Sequence, residues 1–290
     1  MFAEAIESTA QFTRAIHIIS RNLDSNKIIA GAATLFFLNN EGYALTCKHV
    51  ADVLVNAENL NKNYKAFKEE LKQSNGLSNN SFLAKYNLKE NSTVQMKTKF
   101  INCAEGTQNM NIQIHPTLDL ALLKFNGFSK LNVQKFPIFK KNSAEIKQGK
   151  TLCRLGYPFP EFTNFQFNQT NDEIDWSNIG VEATPQFPID GMLTRFIGDG
   201  KGKITGIEMS TPGLRGQSGG PLFDNRGLIY GMQSRTKHLH LGFDMKNKVI
   251  PINGEEKTIN NYSFLHLGEC IHVDVIKDFL RTHKVKFEEK

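Results

Sequence analysis

The sequence predicts an all-β protein. Apolar runs such as TLCRLGYP, GMLTRFIG, KITGIEMS and GLIYGMQS recur at short intervals, with glycine, asparagine or proline between them. Short strands separated by such turn residues are typical of β-sandwiches and β-barrels. With 290 residues, the chain is long enough for one large β domain or two small ones, and either can bury a sizeable core.

The first half of the chain contains a predicted hairpin and one predicted helix. The segment IIAGAATLFFLNNEGYALTCKHV consists of two β-rich runs joined at NNEG, which is a hairpin signal. The runs STVQMKTKFINCAEG, MNIQIH and LALLKF repeat the strand pattern. Between residues 56 and 76 the apolar spacing becomes helical, and Gly76 supplies a stop. The helical face consists of Leu60, Tyr64, Phe67 and Leu71.

The second half is predicted to contain two irregular stretches, several strands and a closing helix. The polar stretch 126–149 can link two halves of the chain, and 165–191 is predicted to be a long loop region. Near the C-terminus, Asp274 is suited to cap a helix. The apolar stripe of that helix is formed by Val275, Ile276, Phe279 and Leu280.

The composition argues against several classes of protein. Lysine and arginine, 35 in total, exceed the 29 acidic residues by six, but they are scattered and no nucleic-acid-binding motif accompanies them. Neither a signal peptide nor a stretch of about 18 apolar residues is present, so we predict a cytoplasmic protein that binds neither nucleic acid nor membrane. The four dispersed cysteines fit buried thiols, and their spacing suggests neither zinc nor any other metal or cofactor.

The segment GLRGQSGGPLFD, residues 213–224, surrounds Ser218 with an unusual number of glycines. Glycine costs about 0.5–1 kcal/mol against alanine in ordered structure, so such a cluster needs a structural reason. One interpretation is an ordinary turn between two strands. The other is a turn that presents Ser218 as a nucleophile, with the surrounding amides aimed at a developing oxyanion.

A nucleophilic serine needs a base and a group that orients the base. In ALTCKHV, His49 follows a β-rich run and can be presented at a strand end. In HPTLDLALLKF, Asp119 stands just before an apolar strand. Taken alone, His49 is more often a structural histidine, and Asp119 is either a solvated residue at a strand start or a partly buried acceptor.

The three segments TCKHV, DLALL and GQSGGP, in this order, resemble the signature blocks of the chymotrypsin/trypsin-like serine peptidases. Within that family the chain looks more like bacterial Deg-type and stand-alone peptidases than like digestive enzymes. The resemblance implies one peptidase domain over 1–290, built from two six-stranded antiparallel barrels. The implied parts are a first barrel over 16–125 with a helical insertion at 56–76, a linker over 126–148, a second barrel over 149–270 and a C-terminal helix over 274–283.

The same resemblance implies a role for each site residue. Ser218 would be the nucleophile, His49 the general base and then acid, and Asp119 the acceptor that holds the imidazole tautomer. The backbone amides of Gly216 and Ser218 would form the oxyanion hole.

Two positions depart from well-known members of the family. Gln217 stands where secreted members carry an aspartate that pairs with a freed N-terminus, and its amide could instead brace the loop by hydrogen bonds. Pro212 stands where trypsin carries the aspartate of its specificity pocket.

The specificity pocket is expected between the segment 211–215, which contains Pro212 and Arg215, and a neighbouring strand. No carboxylate lies in either segment, so cleavage after apolar or acidic residues is favoured over cleavage after lysine or arginine. Arg215, Arg235 and His238 either bind an acidic side chain or are simply solvated. The strand is expected to contribute Ser234, Arg235 and Thr236.

The sequence therefore predicts a serine endopeptidase that acts on a protein or peptide substrate and that a partner protein could regulate. The alternatives are a protease-fold binding protein without turnover and an esterase that uses the same residues. The strand YGMQSRT, which in the family pairs with the substrate backbone, favours peptides. A role in prokaryotic stress or antiviral defence is suggested by analogy alone.

Overall fold

The fold described here comes from a computed structural model, in which residues 1–73, 80–252 and 254–290 are described. Strands make up most of the regular structure and helices are few, which confirms the predicted β class. The finer arrangement as two six-stranded barrels, with the boundaries given above, stays a prediction.

The first half of the chain forms a six-stranded antiparallel sheet. Its strands lie in the order β4-β1-β2-β3-β7-β6, and β2 and β3 form the hairpin predicted at NNEG. The short strands β5 and β8 pair separately. The strands of this half are β1 (Thr13–Asn22), β2 (Ile28–Phe37), β3 (Tyr43–Thr46), β4 (Thr93–Phe100), β5 (Ala104–Glu105), β6 (Asn109–Ile114), β7 (Ala121–Asn126) and β8 (Lys130–Leu131).

The second half forms an eight-stranded sheet in the order β15-β10-β13-β14-β17-β16-β9-β18. Strand β15 also pairs with β16, so six of the eight strands are joined in a ring. Strands β11 and β12 pair separately with each other. The strands of this half are β9 (Ile138–Phe139), β10 (Thr151–Gly156), β11 (Phe165–Asn168), β12 (Glu173–Trp176), β13 (Phe187–Gly198), β14 (Ile204–Met209), β15 (Pro221–Phe223), β16 (Leu228–Ile252), β17 (Glu255–His272) and β18 (Glu288–Glu289).

The helix assigned to the insertion begins earlier than predicted. In the described part of the chain, the helices are α1 (Ala3–Ala10), α2 (Lys48–Gln73), α3 (Asn80–Lys85) and α4 (Val273–Thr282), with a 3₁₀ turn at Ser143–Glu145. The apolar stripe of α2 extends back through the buried residues Ala57 and Val50, so the helix starts next to His49 and not at residue 56. The predicted stop at Gly76 lies outside the described residues.

The two stretches expected to be irregular contain strands. The stretch 126–148 includes β9, which pairs in parallel with β16 and so belongs to the second sheet. The loop prediction for 165–191 was wrong in part, because β11 and β12 form a hairpin there and β13 begins at Phe187. Strands of two to four residues are too short to show an alternation of apolar and polar residues in the sequence. They are identified only by their pairing partners in the structure.

Strands β16 and β17 continue beyond the sheet as a long hairpin that the sequence analysis did not predict. Their pairing extends from Gly231 with His272 out to Ile252 with Glu255. Large apolar side chains are exposed along it, among them Phe243, with 66% of its surface accessible. None of the helices in the described ranges combines the length and apolar character needed to cross a membrane.

Candidate active site

Strand pairing brings His49 and Asp119 together. Thr46, the last residue of β3, lies opposite Ala121, the first residue of β7. His49 follows β3 in the first turn of α2, and Asp119 precedes β7. The His49 amide donates a hydrogen bond to Asp119 Oδ1 at 3.0 Å. Because first-turn amides lack partners within their own helix, this carboxylate serves as the acceptor that a local capping residue would otherwise provide.

The imidazole of His49 is held by the same carboxylate. His49 Nδ1 lies 2.9 Å from Asp119 Oδ2, and Ser234 Oγ donates to that oxygen at 2.6 Å. Burial alone would raise the pKa of Asp119, but the hydrogen bonds from His49 and Ser234 outweigh it and hold the pKa at about 2. Since an ionised carboxylate can only accept, Nδ1 carries the proton and Nε2 of the neutral ring is left as a base.

Ser218 lies in the loop between β14 and β15 and lines the same cleft as His49. Its hydroxyl donates to the carbonyl oxygen of Ser234 at 3.2 Å. A hydroxyl has one proton, so the side chain must rotate before that proton can be given to His49 Nε2. Hydrogen bonds of this kind are often formed only when substrate is bound.

The loop before Ser218 contains a glycine that the backbone conformation requires. Gly216 has φ +92°, and a Cβ placed there would stand 2.3 Å from the carbonyl oxygen of Tyr157. Only glycine fits both the conformation and the space. Within the described ranges, no hydrogen bond takes up the amide protons of Gly216 and Ser218, so both are available to an oxyanion.

Gln217 braces this loop through its side chain. The side chain is fully buried; Oε1 accepts from the Leu214 amide at 3.1 Å, and Nε2 donates to the Phe187 carbonyl at 3.0 Å. One end of the amide thus holds the preceding segment, and the other holds β13. The hydrogen bonds proposed for Gln217 from the sequence are therefore present.

Thr34 on β2 connects the first sheet to the loop that contains Gly216 and Ser218, here called the Ser218 loop, a contact that the sequence analysis missed. Its Oγ1 donates to the Gly216 carbonyl at 2.6 Å, and its amide donates to the Ser218 carbonyl at 3.0 Å. A threonine within a β-rich run is too common to carry a sequence signal for this role.

All the predicted specificity residues line one open cleft of about 570 Å³, together with His49 and Ser218. Several of their polar groups already have partners: Arg235 Nε donates to Glu269 at 2.5 Å, and His238 Nδ1 lies 2.6 Å from that of His266. The predicted members of this lining are Pro212, Arg215, Ser234, Arg235, Thr236 and His238, and the others are Gly213, Leu214, Gln233 and His266.

A buried thiol lies beside His49 and Asp119. The possible ligand atoms of Cys47, His49 and Asp119 lie within 4.8 Å of one another. Burial and the neighbouring carboxylate raise the pKa of Cys47 well above its ordinary value, and the thiol donates to the Gln233 carbonyl at 3.2 Å. A neutral thiol is a poor metal ligand. That the chain needs no metal stays a prediction.

Comparison with known proteins gives a family match. Residues 33–232 match the family model described as a trypsin-like peptidase domain. No curated protein matches the chain. Among solved structures, the HtrA-type protease AlgW with a decapeptide is similar at 13% identity and a TM-score of 0.49, covering 97% of this chain and 67% of that one. A variant of that protease with a tripeptide is similar at 14% identity and a TM-score of 0.46, covering 97% of this chain and 63% of that one.

Proposed function

Because the chain belongs to the family of trypsin-like peptidase domains and is thus a serine protease in general terms, we propose that Ser218, His49 and Asp119 form its catalytic triad. The observation that carries this proposal is the 2.9 Å contact of His49 Nδ1 with Asp119 at the edge of the cleft lined by Ser218. It supplies a nucleophile, a base and an orienting carboxylate within one crevice.

In the proposed mechanism, Ser218 Oγ attacks the carbonyl carbon of the scissile peptide bond while His49 Nε2 takes its proton. The negative charge that develops on the carbonyl oxygen is stabilised by the amides of Gly216 and Ser218. His49 then gives the proton to the leaving amine, and the acyl group remains on Ser218. Water, activated by the same imidazole, hydrolyses this ester and regenerates the enzyme. Asp119 stays ionised throughout and stabilises the imidazolium.

The proposed substrate is an extended peptide segment of a protein. The cleft is open along β16 at Ser234, Arg235 and Thr236, and an extended chain can pair with a strand edge of this kind. The cytoplasmic location, a regulatory partner and a role in stress or antiviral defence remain predictions from the sequence.

The test is covalent labelling of Ser218 with a fluorophosphonate probe, together with hydrolysis of a peptide library. Ser218→Ala should lose both activities while keeping its urea unfolding curve, because a small side chain at a cleft surface contributes little packing. The expected loss of turnover is about four to six orders of magnitude. His49→Ala should lose turnover by a similar factor.

Three outcomes would contradict the proposal. If Ser218→Ala kept more than a few per cent of the peptidase activity, the nucleophile would be another residue. If the wild-type chain bound peptides but did not react with the probe, the domain would be a binding module. Hydrolysis of ester substrates only, with the library left intact, would identify an esterase.

A further inference from the structure

A buried arginine lies behind the inner wall of the cleft and was not singled out by the sequence analysis. Arg154 is on β10, and its relative accessibility is 0%. Among the residues that the structure describes, no carboxylate forms an ion pair with it within 4 Å. Lysine and arginine are rarely buried without such a partner, because the loss of hydration is costly.

The hydrogen-bond partners of the guanidinium that the structure describes are all neutral. Nη1 donates to Gln233 Oε1 at 2.7 Å, and Nη2 donates to the Thr211 carbonyl at 3.0 Å and to its hydroxyl at 2.5 Å. Nε is buried without a partner. Burial lowers the pKa of Arg154 and outweighs longer-range attraction from groups such as Asp190. Within the described ranges, the cation therefore has no carboxylate in direct contact, and only more distant groups such as Asp190 oppose its charge.

One layer of side chain separates this cation from the cleft. Gln233 and Gly213 both line the cleft, and Gln233 Nε2 occupies the place of a side chain at 213, only 2.2 Å from an ideal Cβ there. Gly268 likewise leaves room for the guanidinium, since a Cβ at 268 would lie 2.1 Å from Arg154 Nη1. Gln233 is thus a cleft-lining side chain that contacts Nη1 directly.

We propose that Arg154 determines specificity by selecting substrates with glutamate or aspartate before the scissile bond. The inference rests on the proposed function, because it assigns that residue of the substrate to this cleft. The substrate carboxylate replaces Gln233 Oε1 as the acceptor of Nη1 and neutralises the buried cation. Charge-assisted hydrogen bonds in a desolvated pocket are stronger than neutral ones.

The other cations at the cleft are less suited to this role. Arg235 already pairs with Glu269, and 74% of its side chain is exposed. Arg215 is exposed at the rim, where solvent weakens any ion pair. Arg154 alone combines burial with the absence of a described anionic partner.

The first test measures binding to Ser218→Ala, so that it does not depend on turnover. Two fluorescein-labelled peptides that differ only in their last residue, glutamate or glutamine, are compared by fluorescence anisotropy. We expect the glutamate peptide to bind at least about tenfold more tightly, as a hydrogen bond to a charged group implies. Equal affinities, or tighter binding of the glutamine peptide, would overturn the inference. A glutamate preference without hydrolysis by the wild-type chain would overturn the proposed function alone.

The second test changes the buried charge of Arg154 by substitutions made in the Ser218→Ala variant. Arg154→Met should remove most of the glutamate preference, whereas Arg154→Lys should retain part of it. Gln233→Glu, which places an internal carboxylate next to Nη1, should abolish the preference even if Arg154→Met fails to fold. Arg226→Met is the matched control, since it removes an arginine that is 67% exposed and does not line the cleft.

The ratio of the two affinities separates specificity from a structural role. Loss of a structural crosslink between Gln233 and Thr211 would weaken both peptides alike and leave the ratio unchanged. An unchanged ratio in folded Arg154→Met, or a ratio that falls only in Arg215→Met or Arg235→Met, would show that Arg154 does not select the substrate.

Discussion

The hydrogen bonds of Gln217 lead us to predict that the order of the Ser218 loop depends on this one side chain. In Gln217→Met the volume is nearly kept, but the Leu214 amide and the Phe187 carbonyl lose their partners at 3.1 and 3.0 Å. Each hydrogen bond is worth about 1 kcal/mol, and more where the abandoned partner stays buried, so the loss is about 2–3 kcal/mol. If this free energy is lost mainly from the ordered conformation of the loop, labelling of Ser218 slows by up to about 30–150-fold.

The assay is the rate of fluorophosphonate labelling, measured beside the urea unfolding curve. Gln217→Glu distinguishes the two ends of the brace. Its ionised carboxylate can accept from Leu214 but faces the Phe187 carbonyl with a second negative oxygen, whereas the protonated acid can donate there. The labelling rate of Gln217→Glu relative to wild type at the same pH should therefore rise as the pH falls. If Gln217→Met were labelled and unfolded like wild type, the brace would not order the loop.

Two further predictions concern Asp119 and the buried His17. Ser234→Ala removes the 2.6 Å donor to Asp119, so kcat/KM for peptides should fall about tenfold while the fold persists; an unchanged kcat/KM would show that His49 alone fixes the carboxylate. His17 is fully buried, and burial lowers its pKa from 6.5 to about 4, so the unfolded chain takes up its proton at a higher pH than the folded one. The stability it contributes is complete above pH 6.5 and is lost as the pH falls toward 4, by at most about 3 kcal/mol at about 1.4 kcal/mol per unit. Urea unfolding at several pH values should show a shallower decline for His17→Phe, and equal slopes would contradict the assignment.

The parts of the site that were predictable are those with local signals. Ser218 lies among glycines that its loop requires, and His49 and Asp119 each adjoin an apolar strand whose end is visible in the sequence. The predicted β class follows from the same repetition of short strands. These features depend on residues within a few positions of one another, which a single sequence displays.

The start of α2 was not predictable because its cap is distant. No serine, threonine, aspartate or asparagine immediately precedes Lys48, and the carboxylate that satisfies the His49 amide comes from 70 positions away. The helix could be traced back only by its apolar stripe, which includes Val50. Tertiary contacts thus decided this element.

The role proposed for Arg154 could not be predicted from the sequence, for a related reason. In TLCRLGYP it occupies a position that looks like the polar face of a strand. In the structure both faces of β10 are buried from Leu152 onward. Only the pairing of β10 with β13 and β15 shows that the guanidinium points into protein. The hairpin of β16 and β17 escaped prediction because its outer part has no buried face to impose a pattern.

Gly219, the residue after Ser218, explains how the two sheets set the geometry of the site. Gly219 has φ +89°, and a Cβ there would stand 2.1 Å from the Thr34 carbonyl oxygen. Thr34 in turn holds Gly216 and Ser218 by the hydrogen bonds from its hydroxyl and amide. Any side chain at 219 would push the Ser218 loop away from the sheet that positions His49. The spacing of His49 and Ser218 therefore depends on a backbone contact between the sheets, and a side chain at 219 cannot be accommodated at that contact without separating them.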